Sequence, residues 1–373
     1  MSAYQALYRK YRPQTFDDVS GQMAVTQTLK TQIMTGKMSH AYLFTGSRGT
    51  GKTSCAKILA KAVNCLNPDH GNPCNVCEAC KAIDSGSCMD VLEIDAASNN
   101  GVDNVRDLRD DAIYTPSQVK MREEAVYTPA VLKKRVYIID EVHMLSISAF
   151  NALLKIIEEP PEHLLFILAT TELHKVPATI LSRCQRFSFR RISQEDIAAR
   201  LQYVAYQENI DLDDGAARVI ARLADGGMRD GLSLLDQCAS ATTGELTAER
   251  VYACLGIAGE RKCGEMMGYI AAHDTKNALE LFNRLYTEGK DLGAMLDEMA
   301  CLTRDLLVLK TAGNAGITML SGVASDREAL ELTKALTSAE LVRMMERLQE
   351  TVAGFTRSAS RRMDAELCIV ELC

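Results

Sequence analysis

Short apolar segments alternate with helix-like segments in the first half of the chain. Four runs combine apolar and β-branched side chains, at 41–45, 91–95, 136–140 and 164–170. Between them, apolar residues recur every three or four positions, as on one face of an amphipathic helix. Strands that alternate with helices favour a parallel sheet with helices on its faces, so this half is predicted to be an α/β domain.

The second half differs because it contains no proline. All eight prolines lie at or before Pro177, and the remaining 196 residues have none. Helix starts are visible there, for example at Thr337, which Glu340 follows in the pattern of a capping box. The chain is therefore predicted to contain three domains: an α/β domain at 1–179, a small helical domain at 180–243 and a second helical domain at 244–373.

A glycine-rich loop follows the first predicted strand and precedes a segment of helical spacing. Its sequence is Gly-Ser-Arg-Gly-Thr-Gly-Lys-Thr, a pattern whose backbone N–H groups converge on the phosphates of a nucleoside triphosphate. Lys52 is predicted to reach the β- and γ-phosphate oxygens, and the Thr53 hydroxyl is predicted to hold Mg²⁺. The residues predicted to bind the nucleotide here are Gly46, Ser47, Arg48, Gly49, Thr50, Gly51, Lys52, Thr53 and Ser54.

Two carboxylates end the third predicted strand. The apolar run 136–139 leads directly to Asp140 and Glu141. A parallel strand beside the strand that precedes the loop would bring Asp140 to the Mg²⁺ ion and Glu141 to the water that attacks the γ-phosphate. A nucleoside kinase would carry the same loop, but the sequence offers no candidate for its second substrate pocket or its lid. Hydrolysis is therefore the predicted reaction.

Four of the thirteen cysteines are spaced for a metal ion. Two overlapping Cys-x2-Cys steps bring three thiolates together, and a fourth cysteine follows the helix after the phosphate loop. The predicted zinc ligands are Cys65, Cys74, Cys77 and Cys80. With all four positions filled by protein, the zinc would be structural. An iron–sulfur cluster is the alternative, but no redox motif accompanies the cysteines.

Composition and charge limit the function classes. The chain has 373 residues, 47% of them hydrophobic, and no tryptophan, as in a globular protein of two or three domains. The longest apolar run, 164–169, is far shorter than the ~18 residues of a membrane span, and no signal peptide opens the chain. A cytoplasmic protein without a membrane partner is expected. The net charge is −7, but residues 1–60 hold eight basic and two acidic side chains, which favours local contact with a polyanion.

A short duplication interrupts the α/β pattern. Residues 112–120 read Ala-Ile-Tyr-Thr-Pro-Ser-Gln-Val-Lys, and residues 125–133 read Ala-Val-Tyr-Thr-Pro-Ala-Val-Leu-Lys. Only the second copy can lead into the strand at 136. The first copy is predicted to form a surface loop.

The motifs follow one another in a definite order. They are Arg12-Pro-Gln-Thr-Phe16, Gly21-Gln22, the phosphate loop, the four cysteines, Asp140-Glu141-Val142-His143, Leu168-Ala169-Thr170-Thr171, Ser182-Arg183-Cys184 and Gly227-Met228-Arg229-Asp230. In this order they resemble the tau/gamma family of bacterial DNA polymerase III subunits, the AAA+ ATPases of sliding-clamp loaders. The resemblance covers essentially the whole chain, although beyond about 240 only helical character carries it.

The resemblance implies an AAA+ phosphate-loop domain with a parallel sheet and a zinc-binding insertion at about 64–81. A small helical lid domain and an all-α collar domain would follow. ATP, Mg²⁺ and Zn²⁺ would be the cofactors. The partners would be other clamp-loader subunits in a pentamer-like ring, the sliding clamp and primer–template DNA. The duplicated segment is not part of the family pattern, and the family's longer form continues beyond position 373.

The resemblance also implies roles for single residues. Thr171 looks like the sensor of the γ-phosphate or the attacking water, and Arg229 looks like the sensor in the helical lid. Arg183 looks like an arginine finger that serves the nucleotide of a neighbouring subunit. The segment from Tyr8 to Gln22 resembles the strip that packs on adenine, with Tyr8 and Arg12 as nucleotide-binding residues.

Two alternatives are compatible with this order of motifs. A clamp-loader stator keeps Ser-Arg-Cys without a working phosphate loop, but Lys52 and Asp140 argue against it. Another AAA+ DNA remodeller, such as a branch-migration motor, would lack the cysteine insertion. For DNA contact, the helix start after Asn99-Asn100-Gly101 and Lys155 are candidates, although a solvated helix face explains Lys155 equally well.

Overall fold

The computed structural model describes residues 4–86, 88–98, 132–242, 244–257, 260–313, 320, 326–356 and 359–373. Most of the duplicated segment 112–133 and the helix start expected after Asn99 lie outside the described residues. Contacts divide the chain into two compact units, Met1–Val204 with Leu223–Asp236 and Ala205–Arg222 with Gln237–Cys373. The division into three domains stays a prediction.

The first unit is built on a sheet of five parallel strands. The order across the sheet is β2-β3-β4-β1-β5, and all four pairings are parallel. This confirms the α/β prediction. The strands are Ala41–Thr45 (β1), Val91–Asp95 (β2), Arg135–Asp140 (β3), Leu164–Thr170 (β4) and Gln185–Ser188 (β5).

Two features of the sheet correct the sequence analysis. No apolar run predicts β5, and its residues fall in the helical domain predicted after position 179, whereas Tyr42 to Thr45 pair with them in parallel register. In addition, β3 is not beside β1, because β4 lies between them. The carboxylates at the end of β3 therefore approach the phosphate loop from the next strand but one.

Helices cover both faces of the sheet. Successive side chains of β1 point to opposite faces: Leu43 packs in the cluster that contains Phe150 and Leu153, and Phe44 packs in the cluster that contains Ile58. Each buried side chain of this size contributes about 1.5–3 kcal/mol. The helices and 3-10 turns up to β5 are Leu7–Lys10, Phe16–Asp18, Met23–Thr35, Lys52–Asn64, Glu78–Asp84, Val142–Met144, Ile147–Glu158, Leu173–Lys175 and Ala178–Leu181.

The described part of the chain after β5 is helical, as its lack of proline predicts. Thr247 caps one helix through its side chain, and Thr337 with Glu340 forms a capping box on another. The helices are Gln194–Glu208, Asp214–Leu223, Met228–Ala241, Ala248–Leu255, Glu260–Ala271, Thr275–Thr287, Leu292–Ala312, Asp326–Ala335, Ser338–Gly354 and Arg361–Leu372.

The largest apolar cluster of the second unit lies among these helices. Leu296, Leu302 and Leu306 of the helix Leu292–Ala312 are fully buried in it, with Phe282 from the helix Thr275–Thr287. Within the described ranges, no helix is both long and apolar enough to cross a membrane.

Candidate functional site

The phosphate loop joins β1 to the helix Lys52–Asn64, and two of its glycines are required by close approach. Gly46 has φ 146°, and a Cβ atom there would lie 2.3 Å from the carbonyl oxygen of Phe189, just after β5. Gly49 has φ 76°, and its Cβ would lie 2.9 Å from Gly227 Cα. Both positions have a backbone conformation that glycine adopts without strain and leave no room for a side chain. The loop is thus held on both sides by backbone.

Lys52 lies inside the loop. Its Nζ donates to the carbonyl oxygens of Gly46 and Ser47, both at 2.8 Å, and the residue is only 6% exposed. Burial lowers the pKa of Lys52, while the nearby Glu141 and Asp140 carboxylates oppose that shift. The loop therefore holds a cation at the point where phosphates are predicted to bind.

Thr53 and Asp140 are in direct contact. Thr53 Oγ1 donates to Asp140 Oδ2 at 2.6 Å, although β4 separates β3 from β1. The carboxyl ends of parallel strands meet at one edge of a sheet, so Asp140 reaches the first turn of the helix Lys52–Asn64. Two hard oxygen donors of this kind suit Mg²⁺.

Glu141 and Thr171, each predicted to act at the attacking water, are in direct contact. Glu141 accepts hydrogen bonds on Oε2 from Thr171 Oγ1 at 2.9 Å and from Thr171 N at 3.2 Å. Thr171 comes directly after β4, whereas Glu141 adopts a left-handed conformation with φ 48° after β3. This turn directs the Glu141 carboxylate towards the end of β4.

Two further residues at this site, His143 and Gln22, have no individual role in the predictions from sequence. The ring of His143, 6% exposed, lies with Nδ1 3.0 Å from Thr170 Oγ1 and 3.4 Å from Glu141 Oε2. Gln22 donates from Nε2 to the Arg190 carbonyl at 2.7 Å and to the Thr50 carbonyl at 3.4 Å. His143 ends the motif Asp140-Glu141-Val142-His143, and Gln22 belongs to the motif Gly21-Gln22. Their place in these motifs is the sequence feature that could have identified them.

Residues 4–22, here called the N-terminal segment, and the helix Met228–Ala241 border the loop. The Met228 N–H donates to the Gly49 carbonyl at 3.0 Å. Arg229 places its guanidinium carbon 4.9 Å from the centre of the Tyr8 ring. Arg12 donates from Nε to the Ser54 hydroxyl at 3.2 Å. The residues predicted to contact the nucleotide from outside the loop therefore surround it.

Arg183 lies apart from this group. Its guanidinium pairs with Glu158 at 2.7 Å and donates to the Thr179 carbonyl at 2.9 Å. Among the described residues, no hydrogen bond or ion pair joins Arg183 to the phosphate loop. Its side chain is 37% exposed, so it is accessible at the surface.

The four predicted zinc ligands form one cluster. The sulfur atoms of Cys65, Cys74, Cys77 and Cys80 all lie within 4.8 Å of one another, and a tetrahedral zinc site places its sulfurs roughly 3.8 Å apart. The N–H groups of Cys74 and Cys77 donate to the sulfurs of Cys65 and Cys74, at 3.2 and 3.3 Å. Such donors stabilise thiolates, so the cluster is compatible with zinc.

Family models match the chain in three consecutive segments. They describe a DNA polymerase III delta subunit over residues 21–193, the ATPase lid domain of a DNA polymerase III clamp-loader subunit over 196–244, and domain III of the gamma and tau subunits over 246–373. The tau subunit of Bacillus subtilis is 46% identical over 372 residues, and the gamma subunit of Buchnera aphidicola is 39% identical over 79% of this chain and 78% of its own. The chain belongs to the tau/gamma family.

This tau/gamma chain is shorter than several of its relatives. It spans 63% of the Bacillus subtilis tau subunit, and its match to the Escherichia coli tau subunit, 38% identical, covers 88% of this chain and 48% of that one. A solved structure of the RuvB branch-migration motor of Thermotoga maritima is 18% identical over 70% of this chain and 79% of its own, with a TM-score of 0.47. A likeness of that size does not discriminate between functions.

Proposed function

We propose that this chain is the ATP-hydrolysing motor subunit of a DNA polymerase III clamp loader, which loads the sliding clamp onto primed DNA during replication. The observation that carries the proposal is the assembly of Lys52, Thr53, Asp140, Glu141 and Thr171 at one edge of the sheet. Family membership supplies the clamp-loader context. A stator subunit does not need this assembly, which disfavours that alternative.

ATP would bind with its triphosphate in the loop. The loop N–H groups would meet the phosphates with little reorganisation, since the loop is already held by backbone contacts. Lys52 Nζ would exchange its bonds to the Gly46 and Ser47 carbonyls for bonds to phosphate oxygens. A Mg²⁺ ion bound with the nucleotide would offset the charge that develops on the phosphates. Thr53 and Asp140 are the residues placed to hold it.

Hydrolysis would use Glu141 and Thr171 together. Glu141 is proposed to accept the proton of the attacking water, and Thr171 to orient both that carboxylate and the water. The two hydrogen bonds that Thr171 donates to the Glu141 carboxylate, from its hydroxyl and its N–H, support this pairing, because a base must be held in one orientation to act on one water. His143 packs against the same carboxylate and would restrict it further.

Arg229 and Arg183 are proposed to contact nucleotides bound to different subunits. Arg229 starts a helix whose first residues contact the loop, so it would sense the γ-phosphate within its own subunit. Arg183 is accessible, and no described hydrogen bond or ion pair joins it to the phosphate loop of its own chain. It would therefore complete the site of a neighbouring subunit. Such composite sites require partners, here the other clamp-loader subunits in a pentamer-like ring.

DNA and the clamp are proposed partners of that ring. Primer–template DNA would be held mainly through its phosphates, and the exposed Lys155 on the helix Ile147–Glu158 is a candidate contact.

The four cysteines are proposed to hold a structural zinc ion that stabilises the module at about 64–81.

A different AAA+ DNA remodeller is the alternative function. Stimulation of ATP hydrolysis by clamp plus primed DNA separates it from a clamp loader.

Asp140→Asn tests the proposed Mg²⁺ ligand. The variant should retain measurable ATP binding and lose hydrolysis by about 100-fold or more, because loop contacts hold the nucleotide while the metal stabilises the transition state. Binding of a fluorescent ATP analogue and phosphate release measure the two effects. Asp95→Asn is the matched control, since Asp95 ends β2 in register with Asp140 and has no proposed role. Equal loss of binding and hydrolysis would contradict the assignment.

Cys77→Ser tests the zinc site. Elemental analysis should find about one zinc per chain of the original sequence, and the variant should lower the midpoint of thermal unfolding by roughly 5 to 10 °C, because metal binding stabilises the folded module. ATP turnover per folded molecule should change less. Cys301→Ser, at an exposed cysteine, is the control. A metal-free chain of unchanged stability would contradict the site.

A further inference from the structure

The N-terminal segment is fastened to the helix Met228–Ala241 by one carboxylate. Asp236 Oδ1 accepts a hydrogen bond from the Tyr4 hydroxyl at 2.6 Å, and Asp236 Oδ2 accepts one from the Leu7 N–H at 3.3 Å. Both oxygens of Asp236 are therefore engaged with the same segment. A charged acceptor makes these bonds stronger than those of a neutral group.

The same helix contacts the segment at a second point. Arg229 lies two turns before Asp236 and on the same side of the helix, with its guanidinium over the Tyr8 ring. The helix also reaches the phosphate loop through Met228 and Gly49. One helix thus links the segment predicted to pack on adenine, the predicted γ-phosphate sensor and the loop.

The beginning of the segment depends most on these contacts, because further along Arg12 bonds to Ser54 and Phe16 is buried. Its α-helix Leu7–Lys10 has four residues, far fewer than the ~12–15 that an isolated helix needs in water. Leu7 is buried, but Tyr4 is 77% exposed, so little packing holds the beginning of the segment. Any part of the segment that is not held beforehand must be ordered when the nucleotide binds, which weakens binding.

We propose that Asp236 is a positioning residue for nucleotide recognition. It holds the N-terminal segment where Tyr8 meets the base, and it thereby raises affinity for adenine nucleotides without touching the phosphates. This inference rests on the proposed nucleotide site. It concerns recognition of the base, whereas Lys52 and the loop glycines concern the phosphates.

The test separates base recognition from phosphate recognition. Binding of ATP and of inorganic tripolyphosphate, which lacks the base, is measured by calorimetry on the full chain. Asp236→Ala should weaken ATP binding about fivefold, the effect of losing one exposed and one part-buried hydrogen bond, and should leave tripolyphosphate binding unchanged. A structural defect would weaken both.

Two further variants complete the test. Tyr4→Phe removes one of the two bonds at an exposed ring without endangering the fold, and it should weaken ATP binding by a smaller factor, about twofold. Asp196→Ala, at an exposed carboxylate near the start of the helix Gln194–Glu208, should have no effect on either ligand.

Three outcomes would overturn the inference. The first is that Asp236→Ala binds ATP as tightly as the unmodified chain, and the second is that its affinities for ATP and tripolyphosphate fall by the same factor. Either result removes the role of Asp236 and leaves the proposed function standing. If the unmodified chain binds no ATP, the proposed function fails and this inference fails with it.

Discussion

Replacing Lys52 by alanine is expected to lower ATP turnover by about 100-fold or more while the fold is retained. Lys52 Nζ is held inside the phosphate loop by the Gly46 and Ser47 carbonyls, where it is placed to contact the β- and γ-phosphates during the reaction. Loss of one preorganised donor to a developing charge has effects of about 10²–10³-fold in other enzymes. Phosphate release with saturating clamp and primed DNA measures turnover.

Lys57→Ala is the matched control for that experiment. Lys57 belongs to the same helix, carries the same charge and pairs with Glu93 away from the loop, so turnover should stay within about twofold, as for most surface substitutions. Near-normal hydrolysis by Lys52→Ala would remove the assignment of the chain as the motor subunit.

Arg183→Ala is expected to leave ATP binding to the isolated chain intact and to lower stimulated hydrolysis in the assembled complex by about 100-fold or more. The reason is that an arginine finger stabilises the transition state in a neighbouring subunit, an effect of about 10³–10⁵-fold in known cases. Arg183 pairs with Glu158 in its own chain. Glu158→Gln therefore breaks that pair but keeps the cation, and it should not reproduce the loss.

Mixed assemblies locate the site at which Arg183 acts. Subunits with Lys52→Ala lack the nucleotide-binding cation but keep the finger, whereas subunits with Arg183→Ala have the reverse defect. Complexes that contain both should regain part of the stimulated hydrolysis, because some interfaces again combine an intact loop with an intact finger. Weakened ATP binding by the isolated Arg183→Ala chain, or mixed complexes that form without any recovery, would contradict the interfacial site.

The parts of the fold that depend on local pattern could be predicted from the sequence. β1, β3 and β4 are buried along almost their whole length, so they read as apolar runs. Thr337 caps its helix through bonds to a residue three positions away. The cysteine cluster follows the same logic, since most of its ligands are close in sequence. In each case the deciding interactions lie within a few residues.

β5 could not be predicted in this way. Only Phe187 of its four residues is buried, because an edge strand has one neighbour and carries polar side chains such as Gln185 and Arg186. The order of the strands across the sheet could not be predicted from the sequence either. It depends on packing between segments far apart in sequence, and Asp140 at the end of β3 meets Thr53 although β4 lies between β3 and β1.

The finer geometry of the site depends on backbone conformations that side-chain types do not specify. Glu141 reaches Thr171 because it adopts a left-handed conformation, which is uncommon for a residue other than glycine. His143 then packs against Glu141. The hydrogen bond from Tyr4 to Asp236 joins residues at opposite ends of the first unit's sequence, and no sequence pattern predicts it.

The central claim is that ATP hydrolysis at this site drives clamp loading, and Glu141→Gln tests it most directly. The measurement is transfer of a labelled sliding clamp to primed circular DNA by the reconstituted complex, counted per loader with ATP present. Complexes with Glu141 should load many clamps each. Complexes with Glu141→Gln should bind ATP, clamp and DNA and then stop after about one clamp per loader, because the base that activates water is lost. Repeated loading by the Glu141→Gln complex, or loading without ATP, would contradict the account.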